Sequence, residues 1–281
     1  MISVVVPTYN SEKTIHKTMS SILNQTYVKF EVLVVDNHSS DNTRRIVESF
    51  NDSRVSVQLV NNKGMPAVSR NYGISLAQFD FVAFCDSDDF WVKDKLQACV
   101  YLIDSGFDFI SHSLQLSGSL SKSFLNRIFA RKPAKNFDDF VNFGNHIAQS
   151  SVVIRRDILT QAGFYSTDKR FAAVEDAHLW ARVLRSGTKL AYINKNLGTY
   201  LYSSTALTST ANQFIANRAL RLEYFPTLKP SWYKYNIAIY LIKRAKPRRS
   251  REYLKSLVFS RASPIELRLK AIFLLVRLWG R

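Results

Sequence analysis

The stretch FVAFCDSDDFW, residues 81–91, places an apolar run directly before three aspartates. Residues 81–85 have the composition of a strand that is buried in a parallel sheet. Asp86, Asp88 and Asp89 follow this run without a spacer. Carboxylates this close together repel each other and resist burial, so we expect a cation among them. The alternative is a solvated loop in which an aspartate caps the next helix.

Strand and helix patterns alternate over the first hundred residues. Predicted strands cover residues 2–7, 30–36, 55–60 and 81–85, and predicted helices cover residues 11–25, 39–50 and 66–77. Ser11 is the predicted N-cap of the first helix, and Asp41 lies near the start of the second. This alternation is typical of a parallel sheet with helices on both faces.

Polar residues follow three of the predicted strands. Thr8 and Tyr9 come after the first strand, Asp36 after the second, and Asp86 to Asp89 after the fourth. Ligands of open α/β sheets bind beyond the carboxyl ends of the strands. We therefore expect these residues to line one binding crevice.

The pattern is less regular after residue 110. Residues 112–145 are polar and partly basic, which indicates a lid or an acceptor-binding insertion. A strand and a helix that ends at Gly163 are predicted in 150–165, a helix that ends at Gly187 in 173–187, and two further strands at 189–194 and 197–203.

The composition indicates a globular, basic protein without disulfides. The 281 residues carry a net charge of +17, and residues 241–281 hold twelve lysines and arginines against two glutamates. Such a tail favours an anionic partner: a membrane surface, a nucleic acid or a phosphorylated substrate.

Cys85 and Cys99 lie in core-like patterns, so both are expected to be reduced in a cytoplasmic protein. The strand pattern ISVVVP follows Met1 directly, so a secretory signal peptide is not expected, and the sequence contains no run of roughly 18 apolar residues.

Five segments together resemble the family-2 glycosyltransferases. They are residues 4–27, 31–43, 69–77, 84–89 and 174–187. The resemblance implies the GT-A nucleotide-sugar-binding fold, with a mostly parallel central α/β sheet in a catalytic domain at 1–205. The resemblance covers roughly residues 1–205; residues 206–281 are predicted, from their charge and helical pattern, to form a helical, basic C-terminal extension. The implied activity is inverting, metal-dependent transfer of a sugar, with a UDP sugar as the expected donor and a lipid-linked glycan of bacterial surface polysaccharide (O-antigen, capsule or lipopolysaccharide) as the expected acceptor.

The resemblance also assigns a nucleotide-sugar site. In the family pattern the base and ribose are held by the first loop, here Pro7, Thr8, Tyr9 and Glu12. Asp36 matches the carboxylate that binds the base, and Arg70 matches an arginine near the diphosphate or base. Asp86 and Asp88 form the DxD motif. Asp88 is the expected ligand of Mn²⁺ or Mg²⁺, and Asp86 is expected to lie toward the ribose or a metal-bound water.

Glu175 and Asp176 open the predicted helix at 173–187. Acidic residues in a first turn also stabilise a helix through its dipole, which is the alternative explanation. By resemblance, Asp176 is the general base that takes the proton of the acceptor hydroxyl. Glu175 and Trp180 are expected to shape the acceptor site, although Trp180 has the pattern of a core residue as well.

Histidines do not follow the family pattern. Many relatives carry a histidine where this chain reads TYLYSSTALTST, at 199–210, so a histidine contribution to metal or diphosphate binding is in doubt. We interpret His178 as structural or acceptor-facing. His16, His38, His112 and His146 lack metal-ligand spacing and are predicted to lie at the surface.

The last segment of the tail has apolar residues on one helical face. These are Ile265, Leu269, Ile272, Phe273, Val276 and Trp279, with basic residues between them. The pattern indicates either an interfacial helix on an anionic membrane or a helix packed on the catalytic domain. The enzyme is accordingly expected on the cytoplasmic face of the inner membrane.

Three other classes fit less well. A nucleotidyltransferase or a dinucleotide oxidoreductase would have a glycine-rich phosphate loop after the first strand, and PTYNSEKT at 7–14 has no glycine. A nucleic-acid or membrane-surface binding protein with a degenerate nucleotide site would explain the basic charge but not the acids at the strand ends.

Overall fold

The computed structural model describes residues 1–118, 128–129, 133–202, 210–228, 230–244, 246–260, 263 and 265–279. The strands within these ranges are β1 (Ile2–Thr8), β2 (Phe30–Asp36), β3 (Val55–Leu59), β4 (Phe81–Phe84), β5 (Phe90–Trp91), β6 (Phe109–Gly118), β7 (Ile128–Phe129), β8 (Val153–Arg155) and β9 (Ala191–Tyr202). The helices are α1 (Ile15–Leu23), α2 (Thr43–Glu48), α3 (Pro66–Leu76), α4 (Lys95–Asp104), α5 (Phe137–Phe143), α6 (Arg156–Gln161), α7 (Glu175–Arg185), α8 (Thr210–Tyr224), α9 (Ser231–Lys243), α10 (Pro247–Val258) and α11 (Ile265–Trp279).

The strands form one sheet in the order β3-β2-β1-β4-β8-β6-β9-β5, and β7 pairs with β6. β1, β2, β3 and β4 run parallel, as predicted. β8 pairs antiparallel with both β4 and β6, while β9 runs parallel to β6. The predicted α/β fold with a central sheet and flanking helices is therefore confirmed. Beyond β4 the sheet is mixed.

Both faces of the sheet are buried, which explains the continuous apolar runs of β1 and β2. Successive side chains of a strand point to opposite faces. Val5 and Leu33 accordingly join a core with α3 and α7, whereas Val4 and Val32 join a second core with α1 and α4. The sheet thus separates two helical layers.

Two element predictions were wrong in detail. The first helix begins at Ile15 with Thr14 as its N-cap, and not at Ser11, because Ser11 closes a preceding turn through its carbonyl oxygen to the backbone nitrogens of Thr14 and Ile15. The strands predicted at 189–194 and 197–203 are the single strand β9, which continues past the polar residues between them by pairing with β6 through shifts of register.

The C-terminal helices pack on the rest of the molecule. Trp232 and Tyr233 of α9 share a hydrophobic core with Phe140, and the Trp232 indole donates a hydrogen bond to the carbonyl oxygen of Val141 at 3.1 Å. The predicted boundary between residues 205 and 206 lies in the segment 203–209, outside the described residues. Most of the predicted insertion at 112–145 is described, apart from residues 119–127 and 130–132. None of the described helices is long and apolar enough to span a bilayer.

We expect Gly73→Ala to destabilise the fold, because α3 packs closely on the sheet at this point. A Cβ atom at Gly73 would lie 2.5 Å from Cγ1 and 3.0 Å from Cγ2 of Val5. Overpacking of this kind should outweigh the ~1 kcal/mol that alanine gains inside a helix and leave a net loss of about 1–2 kcal/mol. Urea denaturation measures the change, with the exposed Ser75→Ala of the same helix as control. Unchanged stability of Gly73→Ala would contradict the packing.

Candidate active site

The residues that were predicted to line one crevice lie together at the carboxyl ends of three neighbouring strands. Thr8 ends β1 and pairs in register with Asp36, which ends β2. Phe84 of β4 pairs with Val5 of β1, so the acidic turn that follows Phe84 lies beside the end of β1. Parallel strands thus bring together residues that are up to 78 positions apart in the sequence, from Thr8 to Asp86.

The first loop combines buried and exposed residues. Pro7 and Thr8 are buried, and the Thr8 hydroxyl has no hydrogen-bond partner. Tyr9 is 57% exposed. Asp36 is buried, and its carboxylate accepts a hydrogen bond from the backbone nitrogen of Ser39 at 3.1 Å and another from the Ser39 hydroxyl. An exposed aromatic ring in the loop directly after Thr8, the residue that pairs with Asp36, suits a planar heterocycle.

Glu12 connects the loops that follow β1 and β2. Its carboxylate accepts a hydrogen bond from the backbone nitrogen of Asn42 at 3.1 Å, and its own backbone nitrogen donates to Asp41 at 3.1 Å. Burial would raise the pKa of Asp41, but several hydrogen bonds, from Thr43 and Glu12 among others, together hold it below its ordinary value. Glu12 therefore braces the loops, and its predicted contact with the nucleotide stays a prediction.

The acidic turn holds its three aspartates in different environments. Asp89 is 1% exposed, and one of its carboxylate oxygens accepts a hydrogen bond from the backbone nitrogen of Leu201 at 3.0 Å. Burial raises the pKa of Asp89 well above its ordinary value. Asp86 and Asp88 are half-buried. Burial, with the charge of Asp86, raises the pKa of Asp88 to about 6.

Arg70 of α3 joins the two acidic segments. One terminal nitrogen of its guanidinium contacts Asp86 at 2.8 Å, and the other contacts Glu175 at 2.9 Å. Only 6% of Arg70 is exposed. Burial alone would lower the pKa of Arg70, but the two carboxylates raise it above its ordinary value. Arg70 is therefore a permanent buried cation between the acidic turn and the start of α7.

Asp176 lies next to this ion pair in the first turn of α7. One carboxylate oxygen accepts a hydrogen bond from the backbone nitrogen of Ala177 at 2.7 Å. Burial and the charge of Glu175 raise the pKa of Asp176 to about 7, against the lowering effects of Ala177 and Arg70. A carboxylate with a pKa near neutrality is suited to accept a proton at physiological pH.

The burial and contacts of Trp180 and of two histidines decide three of the predictions made from the sequence. Trp180 is 0% exposed and packs against Phe84 and Phe109, so it belongs to the core and cannot contact an acceptor. His178 stacks on Phe171 and contacts Glu223 of α8 at 3.0 Å, which makes it structural. His112 was wrongly predicted at the surface: it is 0% exposed, because β6 lies inside the sheet, and burial lowers its pKa to about 3.

Sequence reasoning missed two side chains near the acidic turn. The Ser150 hydroxyl accepts a hydrogen bond from the backbone nitrogen of Asp86 at 3.0 Å, and the Ser150 carbonyl accepts one from the Trp91 indole at 2.8 Å. Tyr200 of β9 lies near the same aspartates, and burial together with their charges raises its pKa. A serine in a run of serines and a tyrosine in a strand gave no signal, because only the sheet order brings them here.

The donor atoms of the acidic turn suit a hard divalent cation. No group of three or more histidine, cysteine, aspartate or glutamate side chains in the described part of the chain is placed to hold a metal ion. Mg²⁺ and Mn²⁺ sites at phosphates commonly use one or two carboxylates, with phosphate oxygens and waters as the other ligands. The oxygens of Asp86 and Asp88 therefore fit a cation that is shared with a bound diphosphate.

The sequence of this chain is similar to those of known glycosyltransferases. The family model "Glycosyl transferase family 2" matches residues 3–161. The UDP-Glc:alpha-D-GlcNAc-diphosphoundecaprenol beta-1,3-glucosyltransferase WfaP of Escherichia coli is 32% identical over 217 residues, which are 76% of this chain and 81% of that protein.

Two solved structures share the fold. Staphylococcus aureus TarS 1-349 in complex with UDP-GlcNAc has a TM-score of 0.66 at 21% identity, over 95% of this chain and 82% of that chain. The mannosyltransferase PcManGT of Pyrobaculum calidifontis, in complex with GDP-Man and Mn²⁺, has a TM-score of 0.64 at 18% identity, over 99% of this chain and 80% of that chain.

The raised pKa of Asp176 makes the stability of the protein depend on pH. The folded state keeps this proton up to about pH 7, whereas the unfolded chain releases it near pH 4, so ionisation of Asp176 destabilises the fold as pH rises between these values. Asp176→Asn removes this loss. We expect the variant to gain on the order of 1–4 kcal/mol in free energy of unfolding, relative to wild type, between pH 4 and pH 8. Chemical denaturation at both pH values measures this gain, and a difference independent of pH would contradict the assignment.

Proposed function

Because this chain belongs to glycosyl transferase family 2, we propose that it is an inverting, metal-dependent glycosyltransferase that moves a sugar from a UDP sugar to a lipid-linked glycan. One observation carries the proposal: Arg70 joins the DxD motif to the start of α7. A donor site at Asp86 and Asp88 and a base at Asp176 are thereby held side by side. That is the arrangement a direct transfer between two bound substrates requires.

The donor would bind along the carboxyl ends of β1, β2 and β4. Asp36 presents a carboxylate that can accept the imide N–H of uracil, since the hydrogen bonds from Ser39 leave lone pairs on its oxygens. Tyr9 is exposed directly after Thr8, the residue that pairs with Asp36, and can cover the ring. Both the UDP-Glc in the name of WfaP and the UDP-GlcNAc bound to TarS support a UDP sugar.

Asp88 and Asp86 would hold Mn²⁺ or Mg²⁺ at the diphosphate. A bound divalent cation would neutralise the charge that develops on the leaving UDP. Arg70 contacts Asp86 from the protein side, which leaves the other oxygens of the turn for the cation. The Mn²⁺ in the PcManGT complex supports this choice of metal class.

Asp176 would act as the general base. The acceptor hydroxyl loses its proton to the Asp176 carboxylate as its oxygen attacks the anomeric carbon. The bond from that carbon to the UDP oxygen breaks on the opposite face, so the configuration inverts and the transition state is oxocarbenium-like. Glu175 would orient the acceptor through its fixed position on Arg70.

The acceptor is proposed to be a growing bacterial surface polysaccharide on a lipid carrier. WfaP acts on a sugar that is attached to diphosphoundecaprenol, and this chain spans 81% of that protein. The product would be an O-antigen, a capsule or a lipopolysaccharide unit. A lipid-linked acceptor of this kind would require transfer at a membrane surface, on its cytoplasmic side, where nucleotide sugars are available.

Asp176→Asn tests the proposed base. We expect a loss of about 10²- to 10⁴-fold in transfer rate, because general base catalysis contributes that much, while UDP binding is retained. In wild type the rate should rise with pH as Asp176 ionises, with a midpoint near pH 7 in the free enzyme. Release of UDP from a panel of UDP sugars with lipid-linked acceptors gives the rate.

The matched control is Asp157→Asn, which removes an acid from the first turn of the short helix α6. If Asp176 only stabilised its helix, both variants would transfer at nearly the wild-type rate. Full activity of Asp176→Asn over the whole pH range would contradict the base assignment.

A further inference from the structure

α11 is apolar on two opposite sides. Its inner side is packed: Ala271 is 0% exposed and lies in a cluster with Leu254 and Leu257 of α10 and Ala238 of α9. Leu274, Leu275 and Leu278 lie partly buried against the same cluster. The apolar contacts of this inner side are sufficient to hold α11 on the protein, as expected for an amphipathic surface helix.

The outer side of α11 carries a solvent-exposed apolar stripe. We call it the outer stripe; it consists of Ile265, Leu269, Ile272, Phe273 and Val276, which are 70%, 60%, 43%, 67% and 66% exposed. Their spacing of three and four residues places them along one side of the helix. Apolar residues scattered singly on a surface are ordinary, but a contiguous stripe marks an interaction site.

Phe259, directly after α10, is a further exposed apolar residue. It is 81% exposed, the largest exposure among the exposed apolar side chains of the described residues. The Arg268 guanidinium donates a hydrogen bond to the carbonyl oxygen of Val258 at 3.1 Å, which fixes the end of α10 beside α11. The described part of the chain therefore leaves two phenylalanines and four aliphatic side chains exposed on α11 and at the end of α10.

Basic residues border the outer stripe. Arg268 and Lys270 lie on its two sides by helical position, and Arg248, Arg249 and Lys255 are exposed on α10. Residues 241–281 contain twelve lysines and arginines but only two glutamates. A second copy of this chain on the stripe would bring like charges together. An anionic surface with an apolar interior complements both the charge and the hydrophobicity.

We propose that the outer stripe, with Phe259, docks the protein on an anionic lipid bilayer. The helix would lie in the plane of the interface, with the stripe among the upper acyl chains and the lysines and arginines at the phosphate groups. The described helices need not cross the bilayer for this, and none could. This docking goes beyond the proposed transfer reaction, and binding to vesicles requires neither donor nor acceptor.

Flotation of the full chain with lipid vesicles tests the docking. Vesicles of phosphatidylcholine and phosphatidylglycerol in equal parts should bind the protein at least about 10-fold more tightly than pure phosphatidylcholine, with a decrease at high salt. The double variant Leu269→Ser, Phe273→Ser should weaken binding by at least about 10-fold, because the apolar contact is lost. Lys255→Glu with Lys270→Glu should weaken binding to the anionic vesicles only.

Val28→Ser is the matched control, since Val28 is 64% exposed in the loop between α1 and β2. It should bind vesicles like wild type. Thermal melts of all variants check that the substitutions, which affect exposed side chains, leave the fold intact. The proposal would be overturned if the wild-type protein did not bind anionic vesicles, or if the stripe variants bound them as tightly as wild type. A wild-type dimer in sedimentation velocity that the double variant converts to a monomer would overturn it as well.

Discussion

The ion pairs of Arg70 with Asp86 and Glu175 are the interaction on which the rest of the site depends. Asp86, Asp88, Glu175 and Asp176 lie near each other, and Arg70 is the cation that contacts two of them directly. Its charge also opposes the rise in the pKa of Asp88 and of Asp176. Burial, together with the remaining excess of negative charge, explains why both pKa values still lie above the ordinary value. A bound divalent cation would relieve this excess at the DxD motif.

The position of Arg70 follows from the packing of α3. Gly73 lies about one turn after Arg70 and lets α3 approach Val5 of β1 closely. The guanidinium is thereby held at the level of the carboxyl ends of the strands, where β4 delivers Asp86. The Asn71 amide donates a hydrogen bond to the carbonyl oxygen of Tyr165 at 2.8 Å, which ties α3 to the segment before α7. Core packing on one side of the sheet thus sets the geometry of the charges at its edge.

Sequence patterns predicted the local elements well and the long-range contacts poorly. The runs at 30–36 and 66–77 became β2 and α3 within one residue, because their apolar periodicity reflects burial directly. The sequence also predicted that Asp36 and the acidic turn lie close together, because both directly follow predicted parallel strands. Trp180 and His112 could not be placed, since full burial depends on which elements cover them. Ser150 meets Asp86 only through the antiparallel pairing of β8 with β4, which no local pattern indicates.

The most direct test of the central claim is calorimetric titration of the protein with UDP, with and without Mn²⁺, and with GDP and CMP as controls. We expect binding that prefers UDP, is strengthened by Mn²⁺, and loses its dependence on Mn²⁺ in Asp88→Ala. Asp36 would cause the preference for UDP, and the carboxylate oxygens of Asp86 and Asp88 would cause the dependence on the metal. Absence of nucleotide binding by folded protein, or binding that is unaffected by Mn²⁺ and by Asp88→Ala, would contradict the account.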